Sequence, residues 1–136
     1  MKAAVLREVR ALGYAVGLIS NTGMTPGHTF RVYLEQLDLM RYFDTMVFSD
    51  EVLLAKPSRQ MFQRTMEAMR SIPEETVHVG DHLLNDVLGA KQAGMRTIWI
   101  ETYDDRRTPV EVTPDITVRA LGEVGDGLRQ LAQGTA

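Results

Sequence analysis

The sequence contains no cysteine, and that one absence excludes disulfide scaffolds, thiolate metal sites and cysteine nucleophiles together. It has no apolar run near the ~18 residues a membrane-spanning helix needs; its apolar stretches are strand-sized. Arg7, Glu8 and Arg10 interrupt the first dozen residues, so the apolar region of a signal peptide is missing too. A basic excess is also lacking. Lys plus Arg number 15 against 18 Asp plus Glu, a net charge of −3, which excludes a dedicated nucleic-acid binder. No internal repeat, low-complexity segment, Walker loop, dinucleotide fingerprint or Gly-x-Ser-x-Gly elbow is present. The expectation is a cytoplasmic protein with neither membrane nor nucleic acid as a partner.

What is present fits one globular domain over 1–136. A chain of 136 residues supports one core of its own but not two. Its 44% hydrophobic and 24% charged residues are ordinary for such a domain. Val5, Leu6, Val9 and Leu12 repeat at helical spacing, with Gly13 as a stop. Residues 14–19 read as a buried strand. Thr25 and Pro26 look like a helix cap and first helical position, and that helix runs to about Met40 with Phe30, Tyr33, Leu34 and Leu37 on one face. A short strand at 45–48 and a loop to Pro57 follow. Ser58 opens a helix carrying Met61, Phe62, Met66 and Met69, broken at Ser71-Ile72-Pro73. A third strand ends in Gly80-Asp81, a helix spans about 84–93 before Gly94, and a fourth strand covers 96–100. After a polar loop come an edge strand at 116–118 and a final helix over 121–131. This alternation predicts an α/β fold: three αβα layers, Rossmann-like, around a mostly parallel sheet.

In such sheets ligands gather beyond the C-terminal ends of the strands. Those ends carry Ser20 and Asn21, Ser49 and Asp50, Gly80, Asp81 and His82, and Glu101, with Lys56 in the loop that follows the second strand. A hydroxyl, an amide, an ammonium and carboxylates around one rim suit a phosphorylated ligand: donors for phosphoryl oxygens, a lysine for their charge, and carboxylates for Mg²⁺.

Gly-Leu-Ile-Ser20-Asn21, then Lys56-Pro57, then the run from His78 through Gly80-Asp81 and Asp86 to Ala90 resemble motifs two, three and four of the haloacid dehalogenase-like hydrolases. Ser20, Lys56 and Asp81 stand 36 and 25 residues apart in the right order. The resemblance spans nearly the whole chain. It implies Mg²⁺-dependent hydrolysis of a small phosphate ester. Ser20 would hydrogen-bond the phosphoryl group, with Asn21 beside it. Lys56 would stabilise its charge. Asp81 would ligate Mg²⁺, and Asp86 would support the ion directly or through Lys56 or water. Gly80 would let the backbone approach, and Gly89, Ala90 and Ala93 would hold their helix close to the sheet.

The resemblance also implies two parts that the sequence does not supply. The family's first motif, an Asp-x-Asp ending a central strand, occurs nowhere in these residues. A strand to carry it would precede the first helix, and the cap usually inserted between motifs one and two is absent. The expected core therefore lacks its central first strand. Without an aspartyl nucleophile the family's covalent route is closed, and Mg²⁺ binding is expected to be weak or absent. A sheet open at that position exposes strand edges, which recruit partners, so a homo-oligomer through the unfilled edge is expected.

Two alternatives remain: a non-catalytic binding or oligomerisation module, and a repurposed hydrolase of carboxylic esters using Ser20 or His82. His82, beside Asp81, is the acid–base candidate. Strand alternation turns His78 away from Val77 and Val79, beneath a helix, as a structural residue. Asp81 alone reads equally well as a helix cap. Tyr103-Asp104-Asp105-Arg106-Arg107 reads as a solvated loop within reach of a substrate.

Overall fold

The computed structural model describes residues 2–101 and 110–134; the 103–107 segment lies outside them. Helix α1 (Lys2–Ala11) stops where Gly13 adopts φ +97°, a left-handed turn open to glycine. The chain then enters β1 (Gly17–Ser20). Its entry is pinned by Asp44, whose carboxylate accepts from Arg10 Nη1 and from the Val16 amide, each at 2.8 Å. The Arg10 bond, then the amide, hold that carboxyl below its ordinary range. Helix α2 (Gly27–Gln36) comes next, then β2 (Thr45–Phe48), a single helical turn α3 (Ser49–Val52) and α4 (Arg59–Met69). Strand β3 (Val77–Gly80) leads through a wide π-helical turn, Leu83–Leu88, into α5 (Gly89–Gln92). Strands β4 (Arg96–Ile100) and β5 (Ile116–Val118) and helix α6 (Val124–Gln133) complete the described elements.

Every strand pairing is parallel, as the alternation predicts, but the sheet is in two pieces. Strand β1 pairs with β2, and β3 pairs with β4, which pairs with β5. Among the described residues no strand ladder joins β1 to β3. Two buried clusters cover opposite faces. On one, Val5 and Val9 of α1 meet Val124, Leu128 and Leu131 of α6 over Val77, Val79 and Ile98. On the other, Phe62 and Met66 of α4 pack with Ala90, Ala93, Met95 and Ile19. His78, on the face opposite its valine neighbours, meets the Phe62 ring edge-on, with centroids 5.0 Å apart.

Several local expectations shift. Helix α2 begins at Gly27 rather than Pro26, because its first free amide is taken by a distant carboxylate: the Gly27 N–H donates to Asp50 Oδ1 at 3.1 Å and Oδ2 at 3.2 Å. It ends at Gln36, not near Met40, with Asp38 at φ 56° turning the chain. The stretch after β2 starts as helix α3 and is not all loop. The helix expected over 84–93 divides into the wide turn and α5. The last helix starts as a 3-10 turn at Leu121–Glu123. The face of α2 is only partly covered: Tyr33 and Leu37 remain exposed.

Candidate functional site

The C-terminal ends of β1 and β3 meet at one rim. Just past β1, the Asn21 side chain grips the Lys56 backbone twice. Its Nδ2 donates to the Lys56 carbonyl at 2.9 Å, and its Oδ1 accepts the Lys56 N–H at 2.7 Å. Asn21 thus spends its amide on placing the lysine, and the Lys56–Pro57 peptide is cis. The Lys56 side chain runs to the other half of the sheet, where Nζ donates to Asp86 Oδ1 at 2.6 Å. The same oxygen lies 2.8 Å from His78 Nε2. Asp86 Oδ2 accepts the His82 N–H at 3.1 Å.

This carboxylate is only 4% exposed, and burial pushes its pKa upward. The hydrogen bond and charge of His78, with the charge and hydrogen bond of Lys56, outweigh burial and hold it well below the ordinary carboxylate range. Two features of the chain make room for it. A Cβ on Gly80 would fall on the Asp86 carboxyl itself. At Gly89 a Cβ would lie 2.7 Å from Phe62 Cε2 and 2.9 Å from the Pro57 Cα, so only glycine lets that helix press onto the Lys56–Pro57 loop. The wide turn contributes by offering the His82 carbonyl to both Asp86 N at 2.8 Å and Val87 N at 3.2 Å.

Of the residues singled out in the sequence, Asn21, Lys56, Asp86 and His82 join in one connected network. Ser20 and Asp81 flank it, one at the end of β1 and the other just past β3. Asp81 is exposed, and its carbonyl accepts Trp99 Nε1 at 3.0 Å. His82 caps the wide turn, its Nδ1 accepting the Asn85 N–H at 3.1 Å. Ser49 and Asp50 belong to a neighbouring network. Ser49 Oγ accepts the Thr22 N–H at 2.7 Å, and Thr22 Oγ1 donates to Asp50 Oδ1 at 3.0 Å. Sequence reasoning missed the His78–Asp86 contact and the part played by Thr22. For His78 a signal existed, since alternation turns it toward the helix that carries Asp86.

A resident magnesium ion does not fit these donors. Asp86 has both oxygens engaged by Lys56, His78 and His82, while Asp81 stands exposed beside it. Among the described residues no group of three or more His, Asp or Glu is placed to hold a metal ion.

Comparison with known proteins agrees with this architecture. Residues 3–100 match the haloacid dehalogenase-like hydrolase family. The chain is 35% identical over 121 residues to a phosphoserine phosphatase of Thermus thermophilus, covering 89% of this chain and 47% of the relative. It is 35% identical over 120 residues to a glyceraldehyde 3-phosphate phosphatase of Methanothermobacter thermautotrophicus, covering 85% and 51%. The crystal structure of a phosphatase of the same superfamily from Thermococcus onnurineus superposes with a TM-score of 0.77 at 35% identity, covering 92% of this chain and 55% of that one. The fold is a mixed α/β core with parallel strands. The chain belongs to the haloacid dehalogenase-like hydrolases, and it spans about half the length of the curated relatives it matches. No described helix is long and apolar enough to cross a membrane.

Proposed function

We propose that this chain is the core of a phosphatase-type hydrolase whose rim receives the phosphoryl group of a small phosphate ester. The observation that carries the reading is the Lys56 ammonium, fixed through its backbone by Asn21 and through its charge by Asp86. A cation held so firmly at the C-terminal end of a parallel sheet suits a phosphate dianion. In this reading the Ser20 hydroxyl donates to a phosphoryl oxygen, Lys56 offsets the charge, and Asp81 is the carboxylate exposed to the ester. Asp86 is a positioning residue that aims Lys56. The relatives' names, phosphoserine and glyceraldehyde 3-phosphate phosphatase, support small phosphate esters as the substrate class.

With no Asp-x-Asp in these residues, hydrolysis by the chain alone has water as its attacking group. The water oxygen bonds to phosphorus as the bond to the ester oxygen breaks, and the alcohol leaves with a proton. That route forgoes the gain of splitting one hard step into two, so binding is expected to be robust and turnover slow. Thermal shift with inorganic phosphate and turnover of p-nitrophenyl phosphate, each run with Lys56→Ala and Asp81→Ala, test the reading. The expected result is phosphate binding weakened at least about tenfold in Lys56→Ala, and turnover lost in Asp81→Ala. Equal phosphate binding by wild type and Lys56→Ala would refute it, and turnover that survives Asp81→Ala belongs to another site.

A second reading, a binding or assembly module without turnover, is favoured by one observation: the sheet is open between β1 and β3. The carboxylic-ester alternative has no such support, because His82 commits Nδ1 to the Asn85 amide.

A further inference from the structure

The end of the sheet opposite Lys56 carries a second group of cations. There α1 and the 3-10 turn Met40–Tyr42, just before β2, bring Arg7, Arg10 and Arg41 around one tyrosine. Tyr42 is only 7% exposed. Its hydroxyl accepts from two charged donors, Arg7 Nη1 at 3.2 Å and Arg41 Nη2 at 3.0 Å. The Arg41 guanidinium also lies over the ring, 4.8 Å from its centroid. Arg10 differs: its Nη1 donates to the Tyr42 carbonyl at 3.2 Å, and Asp44 neutralises its charge.

The charge around the phenol does not balance. Asp38 answers Arg41 at 3.1 Å, but both partners are exposed, and such pairs hold weakly. Arg7 has no carboxylate partner among the described residues; it meets the neutral phenol instead. Two like charges sharing one uncharged oxygen repel each other. A phenol has an O–H to give as well as lone pairs to share. With Arg7 and Arg41 on its lone pairs, the Tyr42 O–H has no acceptor among the described residues. Two guanidiniums and a phenolic O–H, all donors, thus gather in one place.

We propose that Arg7, Arg41 and the Tyr42 hydroxyl form an anion site for a phosphate group, at the end of the sheet remote from the rim. A guanidinium is a fork that matches phosphate oxygens two at a time. It has five N–H donors, and among the described residues only one nitrogen of Arg7 and one of Arg41 is engaged. Donors from three residues suit an anion with three free oxygens better than a carboxylate, which offers two. A bound dianion cancels the repulsion between Arg7 and Arg41. The buried ring fixes the hydroxyl at which both arginines aim, so the site is organised before the anion arrives. Asp38 opposes the anion and limits its affinity.

The proposal stands apart from the phosphatase reading, because none of its residues belongs to the rim. Its test is a titration of the full chain followed by NMR at the Arg7 and Arg41 side-chain N–H groups and the Tyr42 amide. Inorganic phosphate and glycerol 2-phosphate are the two arms, and chloride at equal ionic strength is the control. The expected result is saturable shifts with phosphate and none with chloride. Arg7→Gln and Arg41→Gln should each weaken binding at least about tenfold, as loss of a charged hydrogen bond does. Asp38→Asn, which keeps the left-handed turn at φ 56°, should tighten it roughly twofold to fivefold. Lys56→Ala should leave the shifts unchanged, which separates this site from the rim. Binding in either arm supports the proposal, and the tighter arm tells a free anion from an ester. No saturable shift, equal shifts with chloride, full affinity in Arg7→Gln, or loss of the shifts in Lys56→Ala would overturn it.

Discussion

Asp86 carries more of the site than its size suggests, because one buried carboxylate answers two cationic or proton-donating partners and an amide. Removing its charge leaves Lys56, itself only 13% exposed at its side chain, without compensation. Breaking a buried pair in this way costs about 3–5 kcal/mol. Asp86→Asn, nearly isosteric, should therefore lower unfolding stability by about that much in urea titration and weaken phosphate binding as Lys56 loses its aim. The same carboxylate sets an acid limb. Its folded pKa lies below the unfolded value of about 3.9, so as pH falls the unfolded chain takes up this proton first. The stabilisation is complete above that value and fades as pH drops through it. The urea midpoint of wild type should fall more steeply than that of Asp86→Asn below about pH 4. Parallel curves would mean that Asp86 is not paired in solution.

Elements here are held by contacts from far along the chain as much as by their own sequence. The N-terminus of α2 has no side-chain cap of its own, and its first amide is bonded by Asp50, 23 positions away. Asp50→Ala should cost about 1 kcal/mol, as the loss of a cap does, and should fray α2 first, visible as faster amide exchange at Gly27 and Thr29. Phe62 on α4 is fully buried and supports His78. Phe62→Ala should cost about 3–5 kcal/mol in the same urea titration.

These contacts explain what could be read from sequence and what could not. Strand β4, the burial of Met61, Phe62 and Met66, and the turning of His78 away from Val77 and Val79 follow from period and alternation. The resemblance to the family motifs implies that Asn21, Lys56 and Asp86 share one rim, and their hydrogen bonds join them there. The start of α2 was misplaced because its cap is tertiary. The split of the 84–93 helix was missed because a wide turn leaves no mark on apolar spacing. That Asn21 serves the lysine backbone, and that His82 serves the turn, depends on side-chain reach, which spacing does not encode.

At the scale of the whole molecule the structure is two half-sheets joined at a polar rim, with apolar helices closing both faces over an open slot. The rim residues come from both halves, with Asn21 and Lys56 on the β1–β2 side and His78 and Asp86 on the β3 side. The geometry of the proposed phosphate-binding rim therefore depends on how the two half-sheets are held relative to each other. The most direct measurement is residue-resolved amide hydrogen exchange on the chain by itself. Amides of β1 bonded to β2, and of β3 bonded to β4, should be protected, while those on the facing edges of β1 and β3 exchange freely. Uniform protection along both edges, meaning that β1 and β3 pair directly and no slot exists, would contradict this structure.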